Sequence, residues 1–127
     1  MKEVILDTSF ILSAIKYKAD IRMGLIPMID GPFGIIVPSP VVSELRYLSK
    51  NKGRRGIYAN VGLQAMRILN PEVENTENKM ADEAVREVAE KHPEAIICTN
   101  DVKLKNSLKR RGRVIFSIKG AAFIGQA

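Results

Sequence analysis

The sequence predicts an α/β fold: a three-layer α/β/α sandwich around a central, mostly parallel sheet of four to five strands. Three observations predict it. Short runs such as "IIV" at 35–37 and "AIIC" at 95–98 are apolar without alternation, the pattern of strands buried on both faces. Stretches with apolar residues three and four apart separate those runs, as amphipathic helices would. The resulting order, β-α-α-β-α-α-α-β-α-β, supplies the crossover helices that parallel strands need.

Residues 3 to 6 read as a buried strand that ends on Asp7. A helix follows over 9–17, with Thr8 or Ser9 as its cap. Ile21, Leu25, Ile26 and Ile29 give 20–30 a near-helical spacing that Pro27 interrupts. "DGPFG" at 30–34 is turn chemistry, and "IIV" is the second strand, closed by Pro38. In "SPVVSELRYL", Ser39 suits an N-cap and Pro40 the first helical position, with Val41, Val42, Leu45 and Leu48 on one face. "KNKGRRG" at 50–56 reads as a basic loop, and 57–69 as a helix despite Gly62. Residues 70–78 are irregular, with a short edge strand near Val73. Residues 79–91 form a helix with Ala81, Ala84, Val85, Val88 and Ala89 on its apolar side, ended by His92-Pro93. After the third strand comes a basic helix at 102–111, stopped by Gly112. "VIFSI" at 114–118 is the fourth strand, and the small, apolar tail is an edge strand or a frayed end.

A chain of 127 residues, 46% hydrophobic, suits one domain, 1–127, with a real core. Its apolar runs fall far short of the roughly 18 residues a membrane span needs, so no membrane partner is expected. The first residues lack a signal peptide's pattern, and a cytoplasmic location is expected. One cysteine, Cys98, excludes an internal disulfide, and with one histidine it excludes a Cys/His zinc site. Any metal would be held by oxygen, which favours Mg²⁺ or Mn²⁺.

The charge is +6, from 20 Lys and Arg against 14 Asp and Glu, and points to a polyanionic partner such as nucleic acid. It has two concentrations. One is Lys50, Lys52, Arg54 and Arg55. The other is Lys103, Lys105, Lys109, Arg110, Arg111 and Arg113, six cations in eleven residues directly after Asp101. A solvated helix face is the competing reading of the second. Tyr17, Tyr47 and Tyr58 could stack on bases, although packing explains each more simply.

Ligands of open α/β sheets bind beyond the carboxyl ends of the strands. Asp7 lies just past the first strand and Asp101 just past the third, so parallel central strands would bring them to one edge. Glu44 and Asp82, near the starts of their helices, could join them. Each acid has a plainer role: Asp7 and Asp101 as helix caps, Asp82 as a dipole partner, Glu44 as a solvated face. Four carboxylates in one pocket, however, raise each other's pKa values unless a cation joins them. His92 reads as structural, Asn100 as a turn residue and Cys98 as a small buried hydrophobe.

Four segments together resemble one family. "ILDTSFIL" resembles the opening of PIN-domain ribonucleases. "VVSELRYL", "ADEAVREVA" and "IICTNDVKLKNSLK" are similar to that family's second, third and fourth acidic motifs, in order along nearly the whole chain. "VILDTSFILSAIKYKADI" and "IIVPSPVVSELRYL" look most like the small-ribosomal-subunit processing nucleases and their archaeal relatives. Single-domain toxin ribonucleases share the skeleton. The pattern departs at Lys103, where the processing nucleases often carry a further Asp.

The resemblance implies a PIN-like fold and endonucleolytic cleavage of RNA dependent on Mg²⁺ or Mn²⁺, leaving 5′-phosphate and 3′-hydroxyl ends. Asp7 and Asp101 would be direct ligands and Asp82 would complete the set. Glu44 would hold a second ion or orient the attacking water. Ser9 and Thr99 would hold the carboxylates in place, and Arg54, Arg55, Lys103, Lys105, Lys109, Arg110 and Arg111 would bind RNA. The implied partners are ribosomal RNA or its precursor, a second copy in a homodimer, and an antitoxin if the chain is a toxin. A PIN module that binds RNA or the ribosome without cutting is the alternative. A phosphatase or receiver domain fits less well, because "DTS" lacks the second Asp of a D-x-D nucleophile.

Overall fold

The computed structural model describes residues 1–120 and 123–127. In chain order, β1 (Lys2–Leu6) leads into α1 (Thr8–Lys16), then α2 (Ile21–Leu25), which tightens into a 3₁₀ turn at Ile26–Met28. Next come β2 (Phe33–Pro38), α3 (Ser39–Ser49), α4 (Arg54–Leu69) and β3 (Glu72–Glu74). The second half runs α5 (Ala81–Lys91), β4 (Ile96–Cys98), α6 (Val102–Arg110), β5 (Ile115–Lys119) and β6 (Phe123–Gln126).

The six strands form one sheet in the order β3-β2-β1-β4-β5-β6, parallel except for the β5–β6 pair. Helices flank it in an α/β/α sandwich, as the apolar runs predict. Val4, Ile5, Leu6, Val37, Ile97 and Cys98 are fully buried, which is why these strands show no alternation. The sheet exceeds the expected four to five strands because both short edge segments, around Val73 and in the tail, pair with their neighbours. The start of the tail, at 121–122, lies outside the described residues.

Strand order fixes where a ligand can enter. From β1 the chain moves outward to β2 and β3, then returns to β4 on the other side of β1 and continues to β5. Connections therefore leave β1 and β4 in opposite directions, and a crevice opens at their carboxyl ends.

Three local readings are corrected. The helix over 57–69 begins earlier, at Arg54, so Arg54 and Arg55 occupy a first helical turn and not a loop. Gly53, at φ +97°, makes the turn before it. Gly56 lies within the helix because a Cβ there would come within 1.9 Å of the Asn51 carbonyl oxygen. In α3, Pro38 takes the cap position and Ser39 the first helical position, with Pro40 next. In α1, Asp7 takes the cap position without a side-chain cap bond, because its carboxylate and the Ser9 hydroxyl are engaged elsewhere.

Candidate functional site

Asp7 ends β1 and is 2% exposed. Its backbone N–H donates to the Cys98 carbonyl at 3.0 Å, which ties the end of β1 to the end of β4. One carboxylate oxygen, Oδ2, accepts from Ser9 Oγ at 2.6 Å and from Thr99 Oγ1 at 2.8 Å. The two hydroxyls lie 3.1 Å apart. They accept in turn from backbone: the Asn100 N–H donates to Ser9 Oγ and the Asp101 N–H to Thr99 Oγ1, both at 3.0 Å. The turn carrying Asp101 is thus built on the same hydroxyls that orient Asp7.

Asn100 holds this turn from the other side. Its amide donates to the Ile118 carbonyl and its oxygen accepts from the Ile118 N–H, both at 3.0 Å, so it extends the β4–β5 ladder by a side chain. Asp101 caps α6, its Oδ1 accepting from Leu104 N–H at 2.9 Å. Among the described residues its Oδ2 makes no hydrogen bond.

Asp7 and Asp101 line a cavity of about 300 Å³. Glu44 reaches it from α3 and Asp82 from the first turn of α5. Thr8, Ser9, Leu12, Ser13 and Arg55 complete the wall. All four sequence-predicted acids therefore face one space from four elements. The charges of Asp7, Asp82 and Asp101 feel one another. Burial pushes the Asp7 carboxyl up, against its hydroxyl bonds, and Asp101 adds repulsion. Asp82 is also raised, first by burial and then by the charges of Asp7 and Asp101, while Arg86 opposes the shift.

The pocket also holds Ser13, to which the sequence assigns no role, and Thr8, expected only as a cap of α1. Ser13 lies one turn along α1 from Ser9. Thr8 is 5% exposed, and its Oγ1 is buried with no hydrogen-bond partner among the described residues. The cap expected of Thr8 falls instead to Asp7.

The pocket's donor chemistry fits a hard divalent cation. Every donor is oxygen, the carboxylates repel one another, and an orphaned hydroxyl shares the wall. The like charges line the walls without closing on each other. Among the described residues, no three His, Cys, Asp or Glu side chains draw together into a ready-made metal cage. A larger cavity, about 420 Å³, lies between α2 and α4 and is mainly apolar. Its one acid, Asp20, is spent capping α2 through Met23 N–H.

The basic residues separate. Arg55 borders the acids. Lys103 and Lys105 lie in the first half of α6, near the Asp101 end. Lys109, Arg110 and Arg111 lie at the other end of that helix, roughly 10–13 Å along its axis. Arg111 reaches Glu90 at 3.7 Å. Arg113 is structural: its guanidinium donates to the Ala89, His92 and Ala95 carbonyls at 2.7–2.9 Å and closes the end of α5. His92 is structural as well, its ring nitrogens bonding Glu3 at 3.0 Å and Glu74 at 2.7 Å. No helix among the described residues is long and apolar enough to cross a membrane.

A doubly wound sheet with an acidic pocket at its switch point defines a class of α/β domain whose site is built from carboxylates. The chain belongs to the PIN-like domain family, which it matches over residues 4–121. It is similar to ribonuclease VapC4 of Methanocaldococcus jannaschii, 29% identical over 111 residues, covering 85% of this chain and 83% of that protein. Among solved structures it resembles the PIN domain endonuclease Utp24, with a TM-score of 0.82, 24% identity, and coverage of 98% of this chain and 90% of that one. It also resembles a domain of a functionally unknown protein from M. jannaschii, with a TM-score of 0.63, 25% identity, and coverage of 95% and 94%.

Proposed function

We propose that this protein is a divalent-metal-dependent endoribonuclease that acts in ribosomal RNA processing or RNA turnover. The observation that carries this reading is the locked arrangement of Asp7 and Asp101 on adjacent strand ends, with Glu44 and Asp82 across the same pocket. The family and the ribonuclease relative support it.

Asp7, Asp82 and Asp101 would hold Mg²⁺ or Mn²⁺, with Glu44 on a second ion or on the attacking water. When bound, such an ion would polarise the scissile phosphate and lower the pKa of its bound water, so that hydroxide is available near neutral pH. Ser9 and Thr99 fix the Asp7 carboxylate by donating to its Oδ2. Arg55, on the rim, offers a planar pair of donors to a phosphate. No histidine base is required, and His92 is engaged elsewhere. Lys103, Lys105, Lys109, Arg110 and Arg111 extend a basic flank for an RNA backbone.

We place the protein in the cytoplasm, as one domain over 1–127, with RNA as its partner. A homodimer, and an antitoxin if it serves as a toxin, are further partners of this reading. A second reading, RNA binding without cleavage, is favoured by the open spacing of the acids and by Lys103. Purified protein incubated with single-stranded and structured RNA separates the two. Cleavage that requires Mg²⁺ or Mn²⁺, stops in EDTA and disappears in the Asp7→Asn/Asp101→Asn variant is expected. Salt-sensitive binding with no cleavage under any divalent metal would leave the second reading.

A further inference from the structure

The acidic pocket shares a wall with a second cavity of opposite character. This neighbour, about 380 Å³, holds Leu12 and Arg55 in common with it and is completed by Lys16, Arg54 and Tyr58. No acid lines it. Among the described residues, none of its three cations pairs with a carboxylate. Lys16 instead rests with Nζ 5.3 Å from the centre of the Tyr17 ring. Leu12 and Tyr58 are half-buried, and the Tyr58 hydroxyl makes no hydrogen bond among the described residues.

The two arginines sit where a cation is locally disfavoured. They occupy the first turn of α4, where the helix dipole disfavours cations. The close approach of Gly56 to the Asn51 carbonyl fixes that turn against the preceding loop. Tyr58 follows one turn later, on the same cavity. An aromatic ring, an aliphatic side chain and three unpaired cations thus surround one space. A flat, uncharged base attached to an anionic phosphate matches that combination. Bases stack on aromatic side chains once unpaired, whereas a duplex keeps them inside. An acidic peptide matches the charge but offers no planar face to the ring.

We infer that this cavity is a nucleotide subsite: it takes one unpaired RNA base against Tyr58 and Leu12, with the adjoining phosphate on Lys16 and Arg54. Arg55, on the shared wall, then lies between this nucleotide and the phosphodiester presented to the acids. That placement rests on the nuclease reading; the capture of a base does not. The protein would prefer single strands for a reason separate from its chemistry.

Binding measured in EDTA, where no cleavage occurs, tests the subsite. The probes are fluorescein-labelled ten-nucleotide oligouridine, an abasic strand of equal length and a ten-base-pair RNA duplex. Tyr58→Leu should weaken oligouridine about tenfold and leave the abasic strand and the duplex unchanged. Tyr58→Phe, which keeps the ring, should bind like the parent. The double variant Lys16→Gln/Arg54→Gln should weaken all three probes and flatten the salt dependence. An equal loss on intact and abasic strands, or no loss on oligouridine, would overturn the subsite. So would a polyglutamate peptide that competes as well as oligouridine. Base-dependent coupling in a protein that never cleaves RNA would sink the nuclease reading alone; cleavage without that coupling would sink the subsite alone.

Discussion

Asp7 is buried at a place where its charge opposes folding. Two hydroxyls donate to it, yet burial still raises its carboxyl above the ordinary value. A carboxyl raised on folding contributes most in acid, below its unfolded value, and that contribution is lost as pH rises through the folded value. Asp7→Asn removes the charge and keeps the shape, and the Ser9 and Thr99 hydroxyls can rotate to suit an amide. The variant is expected to melt at a higher temperature than the parent at pH 7 in EDTA, and the proposed metal-dependent cleavage to fall by about 100-fold or more. A lower melting temperature would contradict this account of Asp7. In the sequence, Asp7 and Asp101 were legible because each ends an apolar run, and parallel strands put such ends together. That Ser9 and Thr99 hold a carboxylate in place was an expectation; that both donate to one oxygen of Asp7 was not legible, because it depends on a contact across 92 positions. Arg113 looked like part of a basic patch, since charge density along the chain does not show which carbonyls a guanidinium meets.

Elements were legible where periodicity or apolar runs were strong. β1, β2, β4 and β5 and most helices lie within one or two residues of their expected ranges. The start of α4 was missed because Gly53 and Gly56 both read as loop punctuation; only Gly53 has the positive φ of a turn. Gly56 is needed for proximity. Gly56→Ala would improve helix propensity by about 1 kcal/mol in open space, but here its Cβ would meet the Asn51 carbonyl. A net destabilisation of about 1–3 kcal/mol is expected from urea unfolding, with a smaller effect for Gly62→Ala, whose Cβ would stand 3.2 Å from Ile11. A neutral Gly56→Ala would mean that the loop yields freely.

His92 joins three elements, bonding Glu3 in β1 and Glu74 in β3 from the end of α5. Its pKa is raised, chiefly by the Glu74 hydrogen bond, then by that to Glu3, against desolvation. A histidine raised on folding stabilises fully below its ordinary value near 6.5 and loses that contribution as pH rises through the folded value. Unfolding free energy measured from pH 6 to pH 9 should therefore decline in the parent, and His92→Gln should flatten the decline. An unchanged slope in the variant would assign the pH dependence to other groups.

At the scale of the molecule, strand order decides more than composition does. The switch between β1 and β4 gathers carboxylates that lie up to 94 positions apart, and neither net charge nor propensity encodes that meeting. The order of the elements did encode it, which is why the α/β/α architecture and the shared edge were readable. Basic residues were distributed less predictably: Arg55 meets the acids, while Lys109, Arg110 and Arg111 ride to the distant end of α6. If the gathered acids hold a divalent ion, crystals soaked in Mn²⁺ will reveal it by anomalous scattering. A manganese peak bounded by Asp7 and Asp101, with Asp82 or Glu44 completing its ligands, is the predicted result. A saturating soak that leaves this pocket without a peak, or places manganese only elsewhere on the surface, would contradict the account.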